Sequence, residues 1–246
     1  GGIGEAGARA VASHTGALGG SEKVWDGFLR QVGAIRVYSL EELVDMVVTF
    51  SYLPLPPGRK VGILGWGGGT TVLASDDCVS AGLIVPPFPK KMQDEMESYL
   101  EKGNLGVGLG NPVDISDQAF GAAVYNCAKI MFDYEGIDFL IHHLAPDIGY
   151  HLPLDILDAG INSMAADIIK AYRESGKPMA VAIPFPITLY TQEFVSKLKQ
   201  RYSEAGLPVY HSLGSAAKAV TRFINYHERR KRMRGQEARS SESLIT

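Results

Sequence analysis

The sequence has few cysteines and no long apolar run, and both shortages exclude classes of protein. It holds only two cysteines, Cys78 and Cys127, among 246 residues, which excludes a disulfide framework, and their spacing fits no zinc motif. No apolar run approaches the roughly 20 residues of a membrane-spanning helix. Hydrophobic residues make up 46% and charged residues 21% of the chain, which excludes a disordered protein. We therefore expect a globular protein of the reducing cytoplasm, with no membrane partner.

The chain also has no excess of basic over acidic residues. The net charge is −3, and the last 20 residues, 227–246, carry six Lys/Arg and three Glu. The residues before them hold 18 basic and 24 acidic side chains. An acidic body of this kind argues against a nucleic-acid partner. We interpret the basic end, 227–246, as a solvated and disordered tail.

The chain begins with Gly1-Gly2-Ile3-Gly4 and has neither Met nor a basic or apolar segment there. We expect that this start is not a signal peptide. We expect the chain to be a piece of a longer protein, in which half of a functional site precedes Gly1.

Strands and helices alternate after residue 59. Alternation of this kind is typical of a parallel sheet with helices on both faces. The predicted fold class is α/β, a flavodoxin-like doubly wound parallel sheet, preceded by the end of a second flavodoxin-like domain. The pattern predicts strands at 61–64, 83–85, 137–142, 179–183 and 209–211.

The earlier part of the chain is organised differently. Residues 1–53 open with a Gly- and Ala-rich segment and continue into two helices, the second introduced by a capping-box pattern at Ser39 to Glu42. A Pro-rich linker, 54–58, separates them from the domain at 59–226.

A Gly-rich turn joins the first predicted strand of that domain to its first helix. The turn reads Gly65-Trp66-Gly67-Gly68-Gly69-Thr70, and it lies at the strand end where doubly wound folds bind ligands. Successive glycines let backbone N–H groups approach an anion at a helix N-terminus. A tight turn without a ligand is the alternative. The spacing argues against a dinucleotide site, and no Gly-Lys-Ser/Thr follows to make a P-loop.

His14 is the second candidate. It lies between Ser13 and Thr15 in a run of small residues, which predicts a flexible loop rather than a core position. A neutral imidazole in such a loop is nucleophilic and accepts a phosphoryl group. An ordinary surface histidine is the alternative.

Other polar residues line the predicted ligand edge with less specific patterns. Of His142 and His143, at most one faces a site, because adjacent strand residues point to opposite faces. Asn111 to Asp114 reads as a turn, which either contacts a ligand or only reverses the chain. No metal site, Ser/His/Asp order or paired-carboxylate pattern stands out. The possible site-lining residues are therefore Ser13, Thr15, Asn111, Asp114 and His143.

Together these features resemble a known family. The segment Glu5-Ala6-Gly7-Ala8-Arg9-Ala10, followed by Ala12-Ser13-His14-Thr15-Gly16-Ala17-Leu18, is similar to the phosphohistidine segment of NDP-forming acyl-CoA synthetases. These are the ADP-forming acetate–CoA ligases, relatives of succinyl-CoA synthetase. The Gly-rich turn and the Asn111-Pro112-Val113-Asp114 segment resemble that family in the same order.

The resemblance implies a function. Family members interconvert acid, CoA and NTP with acyl-CoA, NDP and phosphate, through an acyl phosphate and a phosphohistidine. His14 matches the histidine that carries the phosphoryl group. One of two phosphate-binding helix N-termini is matched by Gly67, Gly68, Gly69 and Thr70.

The resemblance also implies parts that this chain lacks. These are a CoA-binding Rossmann domain, an ATP-grasp domain or subunit, and most of the first flavodoxin-like domain. No tightly bound cofactor is expected, since CoA and ADP/ATP with Mg are substrates at sites outside this chain. A small carboxylic acid or acyl phosphate is the other substrate, and the complete enzyme is expected to be an oligomer.

Trp66 and Thr70-Thr71 replace the smaller residues or Pro-Gly that the resemblance leads us to expect in the turn, which predicts a reshaped phosphate or acyl pocket. One alternative function is a non-catalytic module that senses acyl-CoA or nucleotide, for example in a protein acetyltransferase. A flavodoxin-like FMN carrier is disfavoured, because no Ser/Thr-rich phosphate loop follows the first strand.

Overall fold

The computed structural model describes residues 5–15, 21–100, 108–115, 123–145, 147 and 153–242. The chain divides into two units, one formed by residues 1–44 with 225–246 and the other by residues 45–224. The boundary between the two units falls inside a helix, between residues 44 and 45. The sequence instead predicted a domain boundary at the linker 54–58. The reason is that Thr49, in the second half of that helix, is buried and shares a hydrogen bond with Tyr210 of the second unit.

The first unit contains helix α1 (Glu5–Thr15), helix α2 (Glu22–Gln31) and the start of helix α3 (Leu40–Tyr52). The predicted capping box before α3 is present in a shifted form. The backbone N–H of Glu42 donates to Ser39 Oγ at 3.1 Å, and the Glu42 carboxylate accepts from the N–H of Tyr38 at 2.8 Å. These two bonds satisfy donors that a helix start leaves without partners.

The second unit is built on a five-stranded parallel sheet. The strand order is β2-β1-β3-β4-β5, which is the flavodoxin-like order and confirms the predicted fold class. Nearly every strand residue is buried, as expected for a parallel sheet covered on both faces. The strands are β1 (Val61–Gly65), β2 (Val113–Asp114), β3 (Phe139–His143), β4 (Met179–Ala182) and β5 (Val209–Tyr210).

The predicted second strand at 83–85 is wrong. That segment makes only an isolated bridge between Lys60 and Ile84, and Pro86 and Pro87 follow it without an N–H to continue a ladder. The strand beside β1 is instead β2, in the segment that the sequence suggested was a turn. Its residues, Val113 and Asp114, are buried.

Six helices cover the described part of this sheet, close to where the periodicity predicted them. They are α4 (Gly68–Ser80), α5 (Lys90–Glu97), α6 (Ala123–Asp133), α7 (Leu154–Arg173), α8 (Leu189–Glu204) and α9 (Leu213–Glu242). The basic end predicted to be disordered is helical through Glu242, because Arg, Lys, Glu and Ala are good helix formers. Within the described residues, no helix combines the length and the apolar character needed to cross a membrane.

Alternate strand residues separate the two faces of the sheet. Leu64, Val113 and Leu140 lie on one face, in a buried cluster with residues of α5, α6, α7 and α8. Gly65 and His143 therefore lie on the opposite face.

The side chain of Asn111 joins β1 to the loop that leads into β2. Its Oδ1 accepts from the N–H of Ile63 at 2.9 Å, and its Nδ2 donates to the carbonyls of Val61 and Pro86 at 3.0 and 2.8 Å. Its backbone is left-handed, with φ 73°. The amide thus positions β2 and is committed to backbone groups.

Asn111→Gly removes these bonds but keeps the left-handed backbone, whereas Asn111→Ala also strains it. We expect Asn111→Gly to lower the free energy of unfolding by about 2–3 kcal/mol, at roughly 1 kcal/mol per hydrogen bond. Asn111→Ala is expected to cost about 1 kcal/mol more, because a Cβ disfavours this φ. Urea unfolding measures both values. An alanine variant as stable as the glycine variant would contradict the backbone assignment.

Candidate functional site

The Gly-rich turn between β1 and α4 is open to an anion. Gly67 has a φ of 102°, which glycine tolerates and other residues avoid, and α4 begins directly after it. No side chain caps this helix start. The backbone N–H groups of Gly68, Gly69 and Thr70 point out of the first turn, where a helix has no acceptor for them. A phosphate placed there meets both these donors and the positive end of the helix.

Thr70 and Trp66 shape this turn from inside the protein. The Thr70 hydroxyl lies 2.9 Å from the carbonyl of Trp66 and 2.7 Å from that of Gly67, so it donates its proton to backbone carbonyls within the turn. The Trp66 side chain is buried in the core cluster that also holds Leu64. Trp66 thus contributes to the core next to the turn, and the predicted reshaping of the pocket stays a prediction.

Asp114, Gly65 and His143 form a row across the carboxyl edge of three strands. Gly65 is in register with Asp114 on one side and with His143 on the other, so all three lie on one face. The Asp114 carboxylate accepts from the N–H of Gly67 at 3.2 Å. The boundary between β1 and β3 is the topological switch point of this strand order, where such folds bind ligands.

His143 occupies the space that Gly65 leaves open. A Cβ on Gly65 would collide with Nε2 of His143, so this position requires glycine. The His143 side chain is 5% exposed, and its Nε2 has no hydrogen-bond partner among the described residues. Burial lowers its pKa to about 4, although the Asp114 carboxylate acts in the opposite direction. The imidazole is therefore neutral near pH 7.

His142 points to the other face and has a different role. Its Nδ1 lies 3.0 Å from the carbonyl of Leu64, so the neutral ring donates there. Burial lowers its pKa to about 3. Of the adjacent pair, His143 alone lies on the face of Gly65, as the strand periodicity predicted.

The structure brings some of the predicted site residues together and separates others. Asp114 and His143 lie beside the turn, while the Asn111 amide is occupied by the backbone. Ser13 lies on α1, where its Oγ donates to the carbonyl of Ala10 at 2.8 Å. His14 lies on the last turn of α1 rather than in the predicted loop, because the alanines before it favour helix. The side chains of His14 and Thr15 lie outside the described residues.

Gly65 is the site residue that the sequence analysis missed. A glycine as the last residue of a buried strand is a signal for a close approach by another group. In the described ranges, no group of three His, Cys, Asp or Glu side chains is arranged to hold a metal ion.

Comparisons with known proteins extend this description. Residues 1–50 match the family model described as the succinyl-CoA ligase like flavodoxin domain. The chain is 31% identical to the acetate–CoA ligase (ADP-forming) II subunit alpha of Pyrococcus furiosus over 224 residues, which are 89% of this chain and 45% of that protein. It is 44% identical to the 4-hydroxybutyrate–CoA ligase (ADP-forming) of Nitrosopumilus maritimus over 116 residues, 46% of this chain and 16% of that one.

A solved structure has the same fold. The dinucleotide forming acetyl-coenzyme A synthetase 1 of Ca. Korarchaeum cryptofilum, in complex with phosphate and ADP, superposes with a TM-score of 0.71. The match has 22% identity and covers 94% of this chain and 46% of that one.

The fold and the Gly-rich turn define the class of protein. This is a flavodoxin-like α/β protein whose switch point presents an uncapped helix N-terminus beside a carboxylate and a buried imidazole. The sequence matches are more specific and confirm the resemblance: the chain is similar in sequence to ADP-forming acyl-CoA ligases. It spans a little under half the length of the alpha subunit that it matches.

The buried histidines make stability depend on pH. The unfolded chain takes up a proton on each near pH 6.5, while the folded chain resists it until about pH 4 at His143. Stability is therefore complete above pH 6.5 and is lost as the pH falls toward 4. His143→Gln should reduce the slope of unfolding free energy against pH in this window by up to ~1.4 kcal/mol per pH unit.

Urea unfolding between pH 4 and pH 7.5 measures that slope. Gly69→Ala, in which no titrating group changes and the new Cβ meets no neighbour within 4 Å, should keep the wild-type slope. An unchanged slope in His143→Gln would contradict a neutral buried imidazole.

Proposed function

We propose that this chain is part of an NDP-forming acyl-CoA ligase. The complete enzyme interconverts acid, CoA and NTP with acyl-CoA, NDP and phosphate, through an acyl phosphate and a phosphohistidine. The observation that carries the proposal is the uncapped start of α4 at the switch point, in a chain whose relatives are named as ligases of this kind. Those names favour the enzyme over a sensing module.

The turn at Gly67 to Thr70 holds the phosphoryl group in this proposal. Backbone N–H donors and the helix dipole stabilise a dianion without a metal. The Asp114 carboxylate uses the N–H of Gly67, and thereby leaves the donors of Gly68 and Gly69 to the phosphate. The neutral His143 adds no charge of its own, so the attraction for phosphate comes from the backbone.

His14 is the phosphoryl carrier. Imidazole accepts a phosphoryl group from an acyl phosphate and releases it to NDP, because the N–P bond is labile. A serine or threonine ester is too stable for the second step, so Ser13 and Thr15 are assigned a supporting role. The bond of Ser13 Oγ to the α1 backbone agrees with such a role.

The remaining parts of the reaction lie on other domains. CoA and ADP/ATP with Mg bind at a Rossmann domain and an ATP-grasp domain or subunit in the cytoplasmic, oligomeric enzyme. An apolar surface in the first unit supports further packing of this kind, since large side chains on α2 remain exposed there. They are Val24, Trp25 and Phe28.

The acid is a small carboxylic acid. The relatives are named for acetate and for 4-hydroxybutyrate, so the choice of acid varies among them.

The carrier assignment is tested in the complete enzyme. With all domains present, labelled NTP should leave an acid-labile, base-stable label on this chain. His14→Asn should abolish both the label and net turnover, because the amide cannot accept the phosphoryl group. Autoradiography and a coupled CoA assay measure the two effects.

Ser13→Ala is the matched control and should retain most of the label and turnover. Undiminished turnover in His14→Asn refutes the carrier assignment. An acid-stable label assigns the phosphoryl group to a hydroxyl instead.

The phosphate turn is tested on the chain itself. Gly68→Val should weaken phosphate binding about tenfold or more, because its side chain blocks the close approach of phosphate to the backbone N–H, and one lost hydrogen bond to a charged group costs about 1.5 kcal/mol. Gly69→Ala should bind like the wild type, since its Cβ enters open space. Calorimetric titration with phosphate measures both affinities, and equal binding by Gly68→Val would place the phosphate elsewhere.

A further inference from the structure

A second polar cluster lies where β5 ends and α9 begins. It contains His211 directly after β5, Ser215 in the first turn of α9 and Asp45 of α3, all within the second unit. Ser215 and His211 are partly exposed, while Asp45 is 9% exposed. The phosphate turn does not include any of these residues.

Hydrogen bonds orient the hydroxyl of Ser215. Ser212 caps α9, because its Oγ accepts from the N–H of Ser215 at 3.0 Å. The Ser212 hydroxyl in turn donates to Ser215 Oγ at 3.0 Å. The proton of Ser215 is then directed to its other neighbour, His211 Nε2, at 2.8 Å. A serine that donates to an imidazole nitrogen is arranged for proton abstraction.

Asp45 lies on the far side of the same ring. Its Oδ1 is 3.8 Å from Nδ1 of His211. A carboxylate there favours the tautomer with the proton on Nδ1, which leaves Nε2 free to accept from Ser215. Ser215, His211 and Asp45 thus match a nucleophile, its base and the group that orients the base, in that order. Such a set is recognised by geometry rather than by sequence position. This distance is longer than a hydrogen bond, so Asp45 acts on the ring through its charge.

An exposed apolar surface adjoins the imidazole. The ring of Phe185 stacks on His211 with centroids 5.8 Å apart and planes inclined by 23°. Ile187 in the same loop is 89% exposed. Asp147 holds this loop by accepting from the N–H of Ile187 at 3.0 Å and from Thr191 Oγ1 at 2.7 Å. Exposed apolar side chains in a loop that packs on the His211 ring suit the acyl part of a substrate.

We propose that Ser215, His211 and Asp45 form a second, serine-based acyl-transfer site that takes small activated acyl esters. Ser215 Oγ attacks the acyl carbon while His211 Nε2 removes its proton. The bond from the acyl carbon to the leaving group breaks, and His211 returns the proton to that group. Water then attacks the acyl-serine with the same base, releasing the carboxylic acid and the serine. Asp45 is a positioning residue.

One charge opposes this chemistry. The Asp77 carboxylate of α4 lies close to Gly214, where a Cβ would be 3.1 Å from Oδ2. Its negative charge disfavours an oxyanion at the first turn of α9, so the wild-type site is slow. Asp77→Asn should raise the rate.

The test uses the 246-residue chain, a fluorophosphonate probe and p-nitrophenyl butyrate. Mass spectrometry should find the probe on Ser215. Ser215→Ala should abolish labelling and ester hydrolysis, and His211→Gln should lower the rate about 100-fold or more, the usual contribution of a general base. Asp45→Asn should lower kcat and leave KM unchanged.

The exposed Ser196→Ala is the matched control and should behave like the wild type. Absence of labelling in the wild type, labelling at another residue, or undiminished hydrolysis in Ser215→Ala overturns the proposal. The site assignment in the wild type decides the question even where a variant fails to fold. Because His14 and the phosphate turn play no part in this assay, its outcome is independent of the ligase proposal.

Discussion

The missing side chain at Gly65 is the constraint on which the carboxyl edge of the sheet depends. Because β1 ends in a residue without a Cβ, the imidazole of His143 folds over the end of the strand. On the other side of Gly65, the short β2 brings the Asp114 carboxylate to the N–H of Gly67. Any larger residue at Gly65 displaces the His143 imidazole.

That arrangement keeps a polar atom buried without a partner. An unpaired buried donor or acceptor costs about 1–3 kcal/mol, and His143 Nε2 is one such atom among the described residues. Proteins retain such costs mainly at functional sites. Here the cost lies at the topological switch point, next to a helix start that no side chain caps. The unpaired imidazole nitrogen and the uncapped helix start therefore lie at the same edge of the sheet.

Sequence reasoning succeeded where a signal was local. The glycines of the turn, the capping pattern at Ser39 and the helical periodicities led to elements close to the observed ones. Sequence reasoning failed where contacts with distant parts of the chain decide the local structure. Residues 83–85 have strand propensity but make a single bridge, while Val113 and Asp114 form the strand because the Asn111 amide fixes their loop to β1. His14 was expected in a loop, but the alanines before it extend α1.

The sequence by itself determined the fold class, the position of the Gly-rich turn and the likeness to acyl-CoA ligases, because alternation, glycine spacing and the His14 segment are properties of neighbouring residues. Only the tertiary structure decided which polar groups meet. Gly65 and His143 are brought together by strand register, and Asp45, His211 and Ser215 by the packing of α3 against β5 and α9. Such contacts join residues far apart in the chain, and strand pairing and helix packing create them, so no local pattern records them.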